Sequence, residues 1–287
     1  MINKLILGTV QFGLEYGINN KKGKPPMRQS FAVLDKAYMG GIKRLDTADA
    51  YGNAIDIIGE YHTNHGIFKI LSKFNFSDND YDIFKKVKNT QKILGINTFE
   101  VYSYHSFKDF ISNKKTQEKL SKLKQQKLIN KIGISIYTNQ EFEIVIDSDI
   151  IDVIQIPFNI LDNYNKKGAL IARAKQKGKE IHARSVFLQG LFFMDETDVI
   201  TKLKPLVSYL ERIKNFCKKQ EIPVNELALM YVISNPEIDG VLIGVDNVEQ
   251  LTENLNCLKC KHTQAINDFV NTLDIKEIEL LNPTNWK

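Results

Sequence analysis

Eight short strand-like runs recur along this chain with amphipathic helical stretches between them, and that alternation restricts the fold more than any other feature. The runs cover residues 4–7, 42–45, 69–72, 99–104, 131–135, 151–156, 180–183 and 240–243. Several are largely apolar, the pattern of parallel strands buried on both faces. Between them, Phe31, Leu34 and Tyr38 predict a helix over 29–39 that stops at Gly40 and Gly41. The same pattern predicts helices over 80–94, stopping at Gly95, and over 117–128, with Leu120, Leu123 and Leu128 inward. A helix over 165–177 stops at Gly178, and one over 203–220 is followed, after Pro223, by a second that runs through Val232. Glycine just past the last periodic residue ends a helix because it accepts the left-handed backbone. Strand–helix units repeated in one unbroken series predict an α/β fold, a (β/α)8 TIM barrel. The rival, a doubly wound sheet, would carry G-x-G-x-x-G after its first strand, and the segment from Gly8 to Gly13 lacks that spacing.

No linker or low-complexity run divides the 287 residues, so the chain reads as a single barrel domain, 1–287. Only four residues precede Leu5, so an N-terminal β-hairpin ahead of the barrel is expected to be absent. The net charge of +5 comes mostly from scattered Lys, with Arg only at positions 28, 44, 173, 184 and 212; that is a solvated surface, not a nucleic-acid footprint. No apolar run reaches the roughly 18 residues that a membrane span needs, and the polar start of the chain does not resemble a signal peptide. Three cysteines, Cys217, Cys257 and Cys260, suit a reducing, cytoplasmic setting. Cys257 and Cys260 have C-x-x-C spacing but no second ligand pair, so no metal site is expected.

In a barrel the C-terminal ends of the strands share one face, and chemistry is placed there. Asp46 closes strand two, with Tyr51 on the loop beyond it; Lys73 follows strand three and His105 follows strand four. Each has an ordinary reading: a helix-capping Asp, a solvated Lys, a structural His. Their meeting on neighbouring strands is what carries meaning. An ammonium beside a phenol favours the phenolate, a carboxylate keeps that ammonium charged, and an imidazole nearby can orient a carbonyl. Together they make a proton donor aimed at an oxygen that gains charge.

These residues resemble the catalytic tetrad of the aldo-keto reductase family, Asp46, Tyr51, Lys73 and His105 in the family's order. The resemblance extends through Gly133-Ile134-Ser135, Val153-Ile154-Gln155 and Val241-Leu242-Ile243-Gly244, and on through Glu249, Gln250, Glu253 and Asn254. It implies an NAD(P)H-dependent oxidoreductase that reduces an aldehyde or ketone, or oxidises the alcohol. Tyr51 would be the general acid, Lys73 would depress its pKa, Asp46 would hold Lys73, and His105 would orient the carbonyl. The cofactor, NADP(H) or NAD(H), would lie extended. Ser135 and Gln155 would hold its carboxamide, Ile243 and Gly244 would run along its phosphates, and Gln250, Glu253 and Asn254 would sit near its adenosine. Gly8, Thr9, Ser185 and Arg184, the last lying against the nicotinamide, would complete the cofactor set.

The chain departs from that family at two places. Arg184 stands where an aromatic residue usually stacks on the nicotinamide; a planar guanidinium can stack there too, or reach a substrate carboxylate or phosphate. After strand eight, Asp246 stands where NADPH-preferring members commonly place Lys or Arg to meet the 2′-phosphate. A carboxylate there could suit the free ribose of NADH, while nearby Lys residues could compensate, so the preference stays open. Phe12, Tyr16, Phe158 and the C-terminal stretch Asn282-Pro283-Thr284-Asn285-Trp286 could wall a substrate pocket. The polar first loop and Arg184 suggest a polar carbonyl, such as a sugar. Two other readings differ in class. One is a Schiff-base aldolase using Lys73, which its carboxylate partner disfavours. The other is a cofactor-binding regulatory or interaction subunit with little turnover.

Overall fold

A computed structural model describes residues 1–75, 82–112, 114–260 and 263–286. Eight strands form a closed, all-parallel barrel in chain order: β1 (Leu5–Gly8), β2 (Arg44–Asp46), β3 (Lys69–Phe74), β4 (Phe99–Tyr104), β5 (Ile129–Ser135), β6 (Val153–Pro157), β7 (Glu180–Arg184) and β8 (Gly240–Gly244). The ring is closed by β1 against β8, with Leu5 opposite Val241 and Gly8 opposite Gly244. Each run expected from the sequence is a strand, with ends moved by up to two residues. The chain enters β1 from a single 3₁₀ turn, Ile2–Lys4, and among the described residues no strand precedes it.

The helices are α1 (Val10–Gly13), α2 (Met27–Met39), α3 (Ala54–Asn64), α4 (Ile83–Leu94), α5 (Phe107–Ser112), α6 (Lys114–Gln125), α7 (Asn139–Ile146), α8 (Tyr164–Gln176), α9 (Val207–Gln220), α10 (Val224–Ile233), α11 (Val248–Cys257) and α12 (Gln264–Asn271). The helix expected over 80–94 begins at Ile83, where Asp82 caps the amides of Phe84 and Lys85; Asp80 and Tyr81 lie outside the described residues. It ends at Gly95 with φ of 65°, the left-handed cap its glycine announces. The helix expected over 117–128 runs three residues earlier, and the one expected from 203 begins as a 3₁₀ turn, Thr201–Leu206, because Pro205 withholds an amide hydrogen.

Strand alternation builds the interior in layers. Ile6, Leu71, Val101, Val153 and Leu242 pack together inside the barrel. Two positions further along the same strands stand Gly8, Lys73, Ser103, Gln155 and Gly244. The side-chain period of two turns them inward as well, one layer nearer the mouth. The apolar plug therefore carries a polar floor. The alternate residues, such as Leu7, Ile70, Tyr102, Ile154 and Ile243, face the helices and join the larger core.

Candidate active site

Asp46 and Lys73 meet on that floor, both about 98% buried, in a direct ion pair. The Lys73 ammonium also donates to the Tyr51 hydroxyl at 3.3 Å. The second carboxylate oxygen of Asp46 accepts from Gln155 Nε2 at 3.0 Å. Thr9 donates from both its amide and its hydroxyl to the Asp46 carbonyl, fixing the end of β2 against β1. His105 follows β4, anchored by its amide to the Phe74 carbonyl, and its ring stands edge-on to that of Tyr51 with 6.0 Å between centroids. The structure thus brings Asp46, Tyr51, Lys73 and His105 into one cluster.

The electrostatics differ from the sequence expectation at Tyr51. Burial pushes the phenol up, Lys73 pulls it down, and Asp46 pushes it up again, so the net shift is upward. Lys73 does not depress the phenol below its ordinary value, because burial outweighs its pull and Asp46 adds to the rise. Burial alone would lower the Lys73 ammonium, but Asp46 and Tyr51 carry it above its usual range. His105 is held down to about 4, first by burial and then by the charges of Lys73 and Arg184. Near neutral pH the site therefore holds a protonated phenol, an ammonium and a neutral imidazole.

Tyr51 is fixed from behind by backbone packing that the sequence reading overlooked. A Cβ at Gly13 would fall 1.7 Å from the Tyr51 carbonyl oxygen, and Gly52, at φ of 54°, presses on the Gly13 carbonyl. The short helix α1 and the loop that bears Tyr51 approach this closely only because both positions are glycine.

A cavity of about 610 Å³ opens over the tetrad. It runs past Gly8, Gln11, Ile243 and Gly244 to Asn225, Asp246, Gln250, Glu253 and Asn254. Ser135 and Gln155 line its floor. Gln155 Oε1 and Gln11 Oε1 are buried without a hydrogen-bond partner, and buried acceptors of this kind call for a donor. An extended dinucleotide with a carboxamide at its tetrad end fits both the cavity's run and these acceptors. At the far end Gln250 turns back on Asp246, accepting from its amide at 2.7 Å and donating to its carboxylate at 3.3 Å. Thr9 lines the cavity, but its hydroxyl is used on Asp46.

Arg184 and Ser185 also line the cavity. The Arg184 guanidinium lies 4.2 Å from the centre of the Tyr137 ring and donates to the Ile136 carbonyl at 3.0 Å and to Ser185 Oγ at 3.2 Å. Ser185 has a φ of 59°, and Leu188, Gln189 and Gly190 are also left-handed, so the chain after β7 folds back sharply over the mouth. There Gln189 donates to the Tyr16 hydroxyl at 3.1 Å, which brings Tyr16 onto the cavity rim.

Three expectations about the pocket wall need correction. Phe12 is buried and does not line the cavity, because α1 turns Gln11 toward the mouth and Phe12 into the core. Phe158 is fully buried and stacks on Tyr231, 5.7 Å between centroids. Alternation along β6 aims Gln155 inward and Ile154 and Ile156 outward, and Phe158, just past the strand end, continues that outward row. The C-terminal Trp286 is buried and does not line the cavity, its indole donating to the Leu280 carbonyl. Tyr137, Gln11, Asn225 and Lys214 line the cavity without having been singled out. Tyr137 was readable, since it stands two residues past Ser135 on the same strand exit.

The cysteines are free, and the described residues contain no group of side chains able to hold a metal. No helix among the described residues is long and apolar enough to cross a membrane.

Comparison with known proteins follows the same line. The model of the aldo/keto reductase family matches residues 4–275. The uncharacterised oxidoreductase YqkF of Bacillus subtilis is 26% identical, the match covering 91% of this chain and 92% of that protein. Among solved structures, the holo form of aldo-keto reductase AKR11C1 from Bacillus halodurans superposes with a TM-score of 0.74 at 18% identity, covering 94% of this chain and 91% of that one. The glycerol dehydrogenase AKR11B4 from Gluconobacter oxydans gives a TM-score of 0.72 at 16% identity, covering 94% and 90%. These two likenesses are of fold.

Proposed function

The chain belongs to the aldo/keto reductase family, and on that premise we propose that it is an NAD(P)H-dependent oxidoreductase that reduces an aldehyde or ketone to an alcohol, or runs the reverse, with Tyr51 as the general acid. The observation that carries this reading is the Tyr51 hydroxyl, held 3.3 Å from the Lys73 ammonium in a cavity of about 610 Å³ that is also lined by Ser135, Gln155, Gly244 and Asn254.

In reduction the Tyr51 hydroxyl gives its proton to the substrate's carbonyl oxygen. Lys73, beside it, steadies the phenolate that remains, and Asp46 keeps Lys73 charged and in place. His105, neutral, donates one ring N–H toward the same oxygen and fixes which face of the carbonyl is presented. The cofactor supplies the hydride when bound. Ser135 and the free acceptor of Gln155 suit its carboxamide, Gly8, Ile243 and Gly244 its phosphates, and Gln250, Glu253 and Asn254 its adenosine. Arg184 and Ser185 stand over the tetrad end, and Tyr16 closes the rim above the substrate. The whole reaction is carried by one barrel domain, residues 1–287, with a small-molecule substrate and a cytoplasmic setting.

Asp246 bears on which cofactor is used. Its carboxylate faces the adenosine end, where a 2′-phosphate would meet like charge. NADH is the cofactor this arrangement favours. Titration of the purified protein with NADH and with NADPH, followed by nicotinamide fluorescence, tests the site. Subsequent loss of nicotinamide absorbance with a panel of aldehydes and ketones tests the reaction. Failure of both nucleotides to bind would refute the reading.

A further inference from the structure

We propose that Arg184 is a substrate-recognition residue and that the substrate is a carbonyl compound bearing an oxyanion, a carboxylate or a phosphate, near the reacting carbon. This inference rests on the reductase reading above and adds the class of substrate to it.

Arg184 is a cation in the cavity wall with no ion-pair partner among the described residues. The other cation on the floor, Lys73, is neutralised by Asp46. Asp162 feels the Arg184 charge but is itself paired with Lys167 at 2.7 Å. A guanidinium held in protein without a counter-charge is costly, and a ligand anion removes that cost.

The side chain is also set in place. It springs from the end of β7 and reaches back past β6 to the exit of β5, where it donates to the Ile136 carbonyl and lies on the Tyr137 ring. That direction leads away from β8, along which the phosphates of the cofactor are expected. It leads toward the tetrad: the Arg184 charge acts on both His105 and Tyr16. Two of its N–H groups are used, on Ile136 and Ser185, while Nε makes no hydrogen bond. A guanidinium has five N–H donors, so donors remain in a rigid fork that matches a carboxylate or phosphate. The Tyr16 hydroxyl accepts from Gln189, which leaves its own hydrogen available beside that fork.

The test compares substrates that differ in charge. For the wild-type protein, kcat/KM is measured with 4-carboxybenzaldehyde and with its methyl ester, and with glyceraldehyde 3-phosphate and glyceraldehyde. The charged member of one pair should lead its neutral partner by about tenfold or more, the usual scale for a hydrogen bond to a charged group. Which pair shows the lead distinguishes carboxylate from phosphate. In Arg184→Gln that lead should fall to near unity, and Arg184→Lys should restore part of it.

A lead that is absent in both pairs, or that survives in Arg184→Gln, overturns the inference while leaving the reductase reading intact. So does an Arg184→Gln protein whose nucleotide Kd rises with no change in the ratio, since Arg184 would then belong to the cofactor. If none of these aldehydes is reduced although nucleotide binds, the reductase reading passes to ketones and alcohols. The inference then stands or falls on terephthalate and phenyl phosphate binding to the protein–nucleotide complex, followed by nicotinamide fluorescence. Weaker binding of either anion by Arg184→Gln supports it, and equal binding of both by the two proteins refutes it.

Discussion

At the scale of single residues, the account turns on one proton. The Tyr51 phenol is raised by burial despite its ammonium neighbour, so it stays protonated across the neutral range. Reduction needs that protonated form, and oxidation of the alcohol needs the phenolate. Reduction kcat/KM should therefore be flat from about pH 6 to about pH 9, while the oxidation rate climbs through the same range, since the ordinary phenol already titrates near 10. A reduction profile that falls across that range with an alkaline limb near neutrality would contradict the assignment. The spacing of Asp46 and Tyr51 and the strand-end positions of Lys73 and His105 were legible in the sequence, because strand ends converge in a barrel whatever the loops do. The direction of the Tyr51 shift was not legible. It depends on how much protein surrounds the hydroxyl against the pull of Lys73, and neither is a property of spacing.

At the scale of elements, the tetrad depends on two glycines in contact. Gly13, at the end of α1, lies against the carbonyl of Tyr51, and an added methyl would fall 1.7 Å from that oxygen. Gly13→Ala should shift the Tyr51 loop, lowering stability by about 1–3 kcal/mol, the range for overpacking. Turnover should fall by about a hundredfold, the scale for a displacement of about 1 Å at a reacting group. Thermal melts and kcat on the same protein check both; full turnover would show that the loop has slack. The strands were readable because burial on both faces leaves apolar runs. Helix α3 was harder to see, since Ile55, Ile57 and Ile58 crowd its first turns and blur the period. Helix α7 is short, although Thr138 and Glu141 form a full capping box at its start. Phe12 and Phe158 were misplaced for one reason: a residue near the barrel mouth can face inward or outward, and only the local helix or the strand phase decides.

At the scale of the whole molecule, the barrel holds a buried imidazole below its floor. His182 is fully buried with neither ring nitrogen hydrogen-bonded. Glu180 lies 3.9 Å away, but Lys131 engages it. Burial, and then the charges of Arg44 and Lys131, hold the His182 pKa down to about 3 from its ordinary value of 6.5. Below about pH 6.5 the unfolded chain takes up a proton that the folded one refuses, so this stability is complete above that pH and is lost progressively as the pH falls toward 3. Denaturant midpoints between pH 7 and about pH 4 should fall, and His182→Gln should flatten that slope; an unchanged slope would place the acid sensitivity elsewhere. At the far end of the cavity, Asp246→Ser should raise the affinity for NADPH relative to NADH by about tenfold, read as a ratio of Kd values, if the carboxylate sets the preference. The central claim, that Tyr51 donates the proton, is tested most directly by single-turnover reduction in wild type and Tyr51→Phe with nucleotide prebound. The account predicts a rate lower by about a hundredfold to ten-thousandfold, the usual contribution of a general acid, at unchanged nucleotide Kd. A Tyr51→Phe protein that binds nucleotide and reduces aldehydes at the wild-type rate would contradict it.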